Sequence, residues 1–278
     1  MTSPPGPASR GSRPATEGGA RESAPARYMA RVEYDGTDFS GFQLQAGTRT
    51  VQGELEAALE RITGARQPVV AAGRTDAGVH ASGQVIAFTC PGRLSAAELG
   101  RALDALLPRD VAIRDVRLAA RAFHPRHAAR YREYRYSVWN GPRSPLRERF
   151  ALGVRVPLDT AAMARAGSVL EGRHDFRAFG AADRSTIRTV HSVRIRRQGP
   201  LVTIDFRADS FLRGMVRRIV AVLLEVGRGK MDEAAVAAAL VAGTPALEGA
   251  TSPAKGLSLR RVALGRPAGR QDGEHEER

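Results

Sequence analysis

PVVAAGRTDAGVHASGQVIAFT occupies residues 68–89. Two strand-like runs, PVVAA (68–72) and GQVIAFT (83–89), flank a glycine-punctuated segment holding one carboxylate, Asp76. Gly73, Gly78 and Gly83 admit backbone conformations closed to other residues. The stretch reads as strand, ordered loop, strand. Its neighbours decide the fold. TVQGELEAALERITG (50–64) sets Val51, Leu55, Leu59 and Ile62 at helical spacing behind an N-cap, Thr50. SAAELGRALDALLP (95–108) is a second helix, opened by Ser95 and stopped by Pro108. RYMARVEY (27–34) and VAIRDVRLA (111–119) are strands at either end. The order is β-α-β-β-α-β, the ferredoxin-like arrangement.

That order recurs. RYREYRYSVWN (130–140) is a strand, and DTAAMARAGSVLEG (159–172) is a helix capped by Asp159. TVHSVRIRRQG (189–199) and LVTIDFRAD (201–209) form a hairpin about Gly199-Pro200. SFLRGMVRRIVAVLLEVG (210–227) and DEAAVAAALVAG (232–243) are helices, and LSLRRVAL (257–264) is a closing strand. The expectation is an α+β chain of two ferredoxin-like, RNP-like α/β halves, residues 28–125 and 126–265. They join near 120–129, and their antiparallel sheets form a central cleft. Residues 1–27 read as a disordered N-terminal extension and 266–278 as a polar C-terminal tail.

The chain of 278 residues carries a net charge of +14, almost all of it between the tails. Only Lys230 and Lys255 among its 43 cationic side chains are lysines. Guanidinium groups bind phosphate bidentately and stack on bases, so the charge points to a polyanion, most simply nucleic acid. A solvated basic surface is the plain alternative. One cysteine, Cys90, excludes an intrachain disulfide and suits a reducing cytoplasm. No apolar run approaches the ~20 residues that span a bilayer. The six histidines are scattered, and His124 and His127 lack a cysteine or carboxylate cluster, which argues against zinc. No phosphate-binding glycine loop ending in Lys-Ser/Thr is present.

Four stretches carry chemistry. Asp76 sits two residues after Arg74 on a loop that two strands would hold still. A positioned carboxylate can act as nucleophile or general base; a structural Asp–Arg pair in a turn is the plain alternative. In ARYREYRYSVWN (129–140), Tyr134 and Tyr136 share a strand face amid Arg130, Arg132 and Arg135. That mixture suits a stacked base and its phosphates, or equally a half-buried strand. In DSFLRGMVRRIVAVLLEVG (209–227), Phe211, Met215, Ile219 and Leu223 mark one face, and Arg213 and Arg217 share a neighbouring one. In VEYDGTDFSGFQLQ (32–45), Asp35 and Asp38 admit a metal-dependent nuclease but read more simply as turn residues.

Together these stretches resemble the tRNA pseudouridine synthase A family over residues 28–264. GRTDAGVHA (73–81) is the most specific signature, with YDGTDFSGFQ, REYRY, SFLRGMVR and KGLSL in the family's order. The resemblance implies the pseudouridine synthase fold and conversion of uridine to pseudouridine at positions 38, 39 and 40 in the anticodon arm of tRNA. It implies a homodimer that needs no cofactor and no metal. It implies that Asp76 is the catalytic nucleophile and that Tyr134 packs on the target uracil and helps proton transfer. Arg74 would flip the base and hold RNA, Arg217 would pair with Asp76, and Leu257 would close the apolar side of the pocket. Glu133 departs from the family's pattern, which often has a basic residue there. The carboxylate could attack C1′ of the ribose, attack C6 of the uracil, or assist glycosidic cleavage.

Overall fold

The computed structural model describes residues 2, 24–92, 94–181 and 184–265. The expected extension and tail therefore lie outside the described residues, apart from residue 2 and the end of the extension, where the first strand already begins.

The N-terminal half runs β1 (Pro25–Tyr34), α1 (Val51–Thr63), β2 (Val70–Ala71), β3 (His80–Pro91), α2 (Ala96–Leu106) and β4 (Val111–Leu118). A short helix, α3 (Pro125–Ala128), fills the expected join. The C-terminal half runs β5 (Ala129–Trp139), β6 (Leu152–Gly153), α4 (Thr160–Ser168), β7 (Gly172–Asp175), β8 (Ile187–Gln198), β9 (Leu201–Ala208), α5 (Met215–Gly227), α6 (Glu233–Ala242) and β10 (Leu257–Leu264). The caps act as the sequence suggests. Thr50 accepts the Gly53 N–H, Asp159 accepts those of Ala161 and Ala162, and Ser95 closes a reciprocal capping box with Glu98.

All ten strands of the described residues belong to one sheet, ordered β4-β1-β3-β10-β5-β9-β8-β7, with β2 on β3 and β6 on β5. Each half keeps its own antiparallel order. β1 lies between β4 and β3 with β2 beyond, and β5 lies between β10 and β9 with β8 beyond. The two are welded by one parallel pairing, β10 to β3 at Ser258↔His80 and Leu259↔Ala81. The cleft thus differs from the expected gap between two sheets. It is a groove over β3, β10 and β5 of one sheet, where the loop before β3 meets α5. Gly83 permits the weld, because a Cβ there would meet the Arg260 carbonyl oxygen at 2.3 Å.

A continuous apolar core backs the groove. It includes Tyr34, Phe42, Leu55, Leu59, Ile86 and Phe88 from one half and Tyr136, Ile204, Phe206, Ile219 and Leu223 from the other. The helix expected over 210–227 starts only at Met215. Arg213 lies outside it: its carbonyl accepts the Ala181 N–H at 3.1 Å, and Gly214 turns the chain with φ 73°. Phe211 and Arg213 therefore leave the helical faces assigned to them. No helix among the described residues is long and apolar enough to cross a membrane.

Candidate active site

The loop 72–79 joins β2 to β3, whose edge carries β2 at Val70 and Ala71 and β10 further along. Asp76 stands between those two pairings in sequence. The loop is held at several points. The Phe42 N–H donates to the Thr75 carbonyl at 3.0 Å and the Gly78 N–H to the Phe39 carbonyl at 3.2 Å. The Thr75 hydroxyl meets the Tyr34 hydroxyl at 2.8 Å. Of the three glycines, only Gly78 has positive φ, 75°.

Two buried side chains grip the loop's entry. Arg132 donates from Nη2 to the Ala72 carbonyl at 2.6 Å and from Nη1 to the Asp209 carbonyl at 2.7 Å. Gln84 donates to the Gly73 carbonyl at 2.7 Å. Burial lowers the pKa of the Arg132 guanidinium. The sequence reading set Arg132 among phosphates beside the tyrosines. Its strand parity with Tyr134 and Tyr136 turns it inward instead, where it braces the loop.

The Asp76 side chain is about one-third exposed, at 37%. Arg217, from the first turn of α5, brings Nη1 to 3.9 Å from Asp76 Oδ2. Arg217 is itself fixed, because its Nε donates to the Ser252 carbonyl at 2.7 Å and its own carbonyl accepts the Ser252 N–H at 3.1 Å. Arg74 is exposed and forms no ion pair with Asp76. The local Asp–Arg turn pair is therefore absent, and the arginine at Asp76 comes from 141 residues away in the chain.

Tyr134 lies buried on β5, with Phe211 edge-on at 5.2 Å. Its hydroxyl has no hydrogen-bond partner among the described residues. Burial raises its pKa well above the usual phenol value; nearby Tyr34 and Asp76 push the same way, and Arg132 opposes. Leu257 is buried at the start of β10 opposite Tyr136, whose hydroxyl donates to the Pro253 carbonyl at 2.8 Å. Asp76, Arg217 and Tyr134 thus converge at the groove, while Leu257 is buried on the neighbouring strand and Arg74 is exposed on the loop itself.

This arrangement holds a half-open carboxylate beside a fixed cation and a neutral phenol. The family described as tRNA pseudouridine synthase matches residues 30–126 and 166–263. The chain belongs to the tRNA pseudouridine synthase A family. It is 43% identical over 241 residues to tRNA pseudouridine synthase A of Geobacillus kaustophilus, covering 85% of this chain and 93% of the relative. It is 44% identical to the proteins of that name from Syntrophotalea carbinolica and Moorella thermoacetica, over 236 and 238 residues. Those alignments cover 84% and 83% of this chain and 94% and 96% of the relatives. Membership makes the protein an RNA pseudouridine synthase, an isomerase.

Other acidic residues of this synthase are engaged elsewhere. Asp35 accepts the Thr37 N–H and hydroxyl at 3.0 and 2.6 Å, and Arg149 lies 2.6 Å from Asp35 and 2.9 Å from Asp38. Their carboxylates brace a turn and a crossing arginine, so they do not form an open metal site. No group of three or more His, Cys, Asp or Glu among the described residues is placed to hold a metal. Sequence reasoning missed Gln84, Ser252 and the Tyr34–Thr75 contact. Period-2 counting along β1, which sets Tyr34 on the same face as Val32, is the signal that could have found Tyr34. Nothing in the sequence placed Ser252 at α5.

Proposed function

We propose that the protein isomerises uridine to pseudouridine in tRNA at positions 38, 39 and 40 of the anticodon stem-loop. It acts as a cytoplasmic homodimer, with Asp76 as nucleophile. The observation that carries this reading is the Asp76 carboxylate, held beside Arg217 at 3.9 Å and accepting no hydrogen bond from a described side chain. Membership in the family supports tRNA as the substrate.

In the isomerisation the N1–C1′ bond breaks, the uracil turns, and a C5–C1′ bond forms. C5 loses a proton and N1 gains one, so atoms balance without an oxidant or a group donor. The target nucleotide must first leave its stack. Arg74, exposed and unpaired at the rim, engages the RNA as the base swings in. The Tyr134 ring, steadied by Phe211, packs on the uracil, and Leu257 closes the apolar side. Burial keeps the Tyr134 hydroxyl protonated, so it serves as a donor while C5 and N1 exchange protons. Arg217 holds Asp76 in place and balances its charge.

The test is pseudouridine mapping in tRNA from cells lacking this protein, paired with tritium release from C5-labelled tRNA by the purified enzyme. Loss at positions 38, 39 and 40 is expected. Intact pseudouridine at all three positions would overturn the site assignment.

A further inference from the structure

On the sheet face away from the helices, the C-terminal half carries an aromatic centre covered by arginines. The buried set Val202, Ile204, Phe206 and Ala208 of β9 faces the helices, so Arg207 points the other way, as Tyr131 does on β5. The Arg207 Cζ lies 3.7 Å from the Tyr131 ring centroid, and Arg261 of β10 reaches 5.9 Å. His191 of β8 meets the same ring edge-on at 6.5 Å. Both arginines are exposed. Each is in register with Glu133, one from either side, yet neither forms an ion pair with it. Arg194 is exposed and unpaired as well, while Arg135 and Arg196 share Asp205. On the N-terminal half, two arginines of this face are already paired, Arg31 with Asp115 and Arg114 with Glu33.

We propose that this face is a second RNA-docking surface, which takes part of the tRNA outside the arm whose uridine enters the groove. An unpaired base stacks on the Arg207–Tyr131 pair, and phosphates lie on Arg194 and Arg261. The inference rests on the reading of tRNA as substrate. Three observations carry it. The patch has excess positive charge, which suits phosphates and would repel a second copy of itself. Guanidinium planes and aromatic rings both stack on bases. Tyr131 and Arg207 occupy the two central strands of a β10-β5-β9-β8 sheet, the place where a four-stranded sheet of this topology presents aromatics to unpaired bases. Glu133, between the two arginines, weakens the surface by opposing phosphate.

The experiment measures binding of full-length tRNA and of the isolated anticodon stem-loop across a salt series. It compares wild type, an Arg207→Ala/Arg261→Ala double variant and Glu133→Gln. The double variant should raise the Kd for full-length tRNA about tenfold and flatten its log–log salt slope by about one to two. Stem-loop binding and the single-turnover rate at saturating tRNA should stay at wild-type values. Glu133→Gln should tighten full-length binding, a change of opposite sign that a folding defect would not give. Unchanged Kd and slope in the double variant would overturn the proposal, as would equal losses on the stem-loop. Weaker self-association in sedimentation, with tRNA affinity retained, would mark the face as a contact between copies and also overturn it. Wild-type protein that binds tRNA but leaves its uridines unmodified would refute the functional reading and not this one.

Discussion

Arg217 stands 3.9 Å from Asp76, while its Nε is already committed to the Ser252 carbonyl at 2.7 Å. The backbone, rather than the carboxylate, fixes the guanidinium. Asp76 therefore keeps its oxygens open to substrate with a cation close by. Replacing Asp76 with Asn keeps the shape and removes the charge. Pseudouridine formation should fall by roughly a thousandfold or more, with tRNA binding within about twofold of wild type. Tritium release and a binding titration on one preparation check this, and near-wild-type turnover would refute a nucleophilic Asp76.

Tyr134→Phe separates the ring from its hydroxyl. The edge contact with Phe211 survives, and no hydrogen bond among the described residues is lost. Stability should change by less than about 1 kcal/mol, because no buried partner is orphaned. Single-turnover rates should drop about tenfold to a hundredfold, within the range of general acid–base contributions. An unchanged rate would remove the hydroxyl from the proton transfers.

Arg132→Met tests the brace beneath the loop. It leaves the Ala72 and Asp209 carbonyls without the donors they have now. The Ala72 acceptor is buried and the Asp209 acceptor partly so; a stranded buried acceptor costs about 1–3 kcal/mol, partly offset by sparing a buried charge. Urea unfolding should show a net loss of about 1–3 kcal/mol. Turnover should fall more than KM rises, since Asp76 loses its aim while the exposed RNA surface is untouched. A KM effect alone would place Arg132 in substrate binding.

Alkaline pH should destabilise the protein through its buried tyrosines. Burial raises the Tyr34 pKa to about 12, and it raises those of Tyr134 and Tyr136 too. Below the unfolded value near 10, both states hold the proton and the stabilisation is complete. Above it, the unfolded chain releases the proton while the folded chain retains it. Stability therefore falls as pH rises from about 10 to about 12, by up to about 2–3 kcal/mol for Tyr34 alone. Urea midpoints at pH 9, 10 and 11 read this directly, and a flat series would contradict it. Tyr34→Phe should make the decline shallower.

Local order was legible in the sequence wherever one residue's chemistry sufficed. Thr50, Ser95 and Asp159 cap the helices they precede, and the closing strand runs over Leu257–Leu264 as expected. Periodicity could not show that β10 pairs with β3, because strand pairing across about 180 residues leaves no trace in spacing. It also overran α5, since Phe211 keeps helical register although Gly214 breaks the helix. In the site, Asp76 and Tyr134 stood out by motif. Arg132 was misplaced because a charged residue on an inner strand face is rare and its partners, the Ala72 and Asp209 carbonyls, are backbone atoms without a sequence signal.

The weld between β3 and β10 also bears on how the enzyme comes into being. On the ribosome, residues 25–118 emerge first and can complete β4-β1-β3-β2 on their own. The edge of β3 beyond Asp76's loop must then wait for residues 257–264, the last of the described strands to be translated. Until that strand arrives, Tyr134 and Arg217 have no fixed distance to Asp76. A nascent chain is therefore expected to be silent towards RNA chemistry until residues 257–264 have emerged and paired with β3. Chains truncated before Leu257 should fold their first half, resist proteolysis there, and release no tritium.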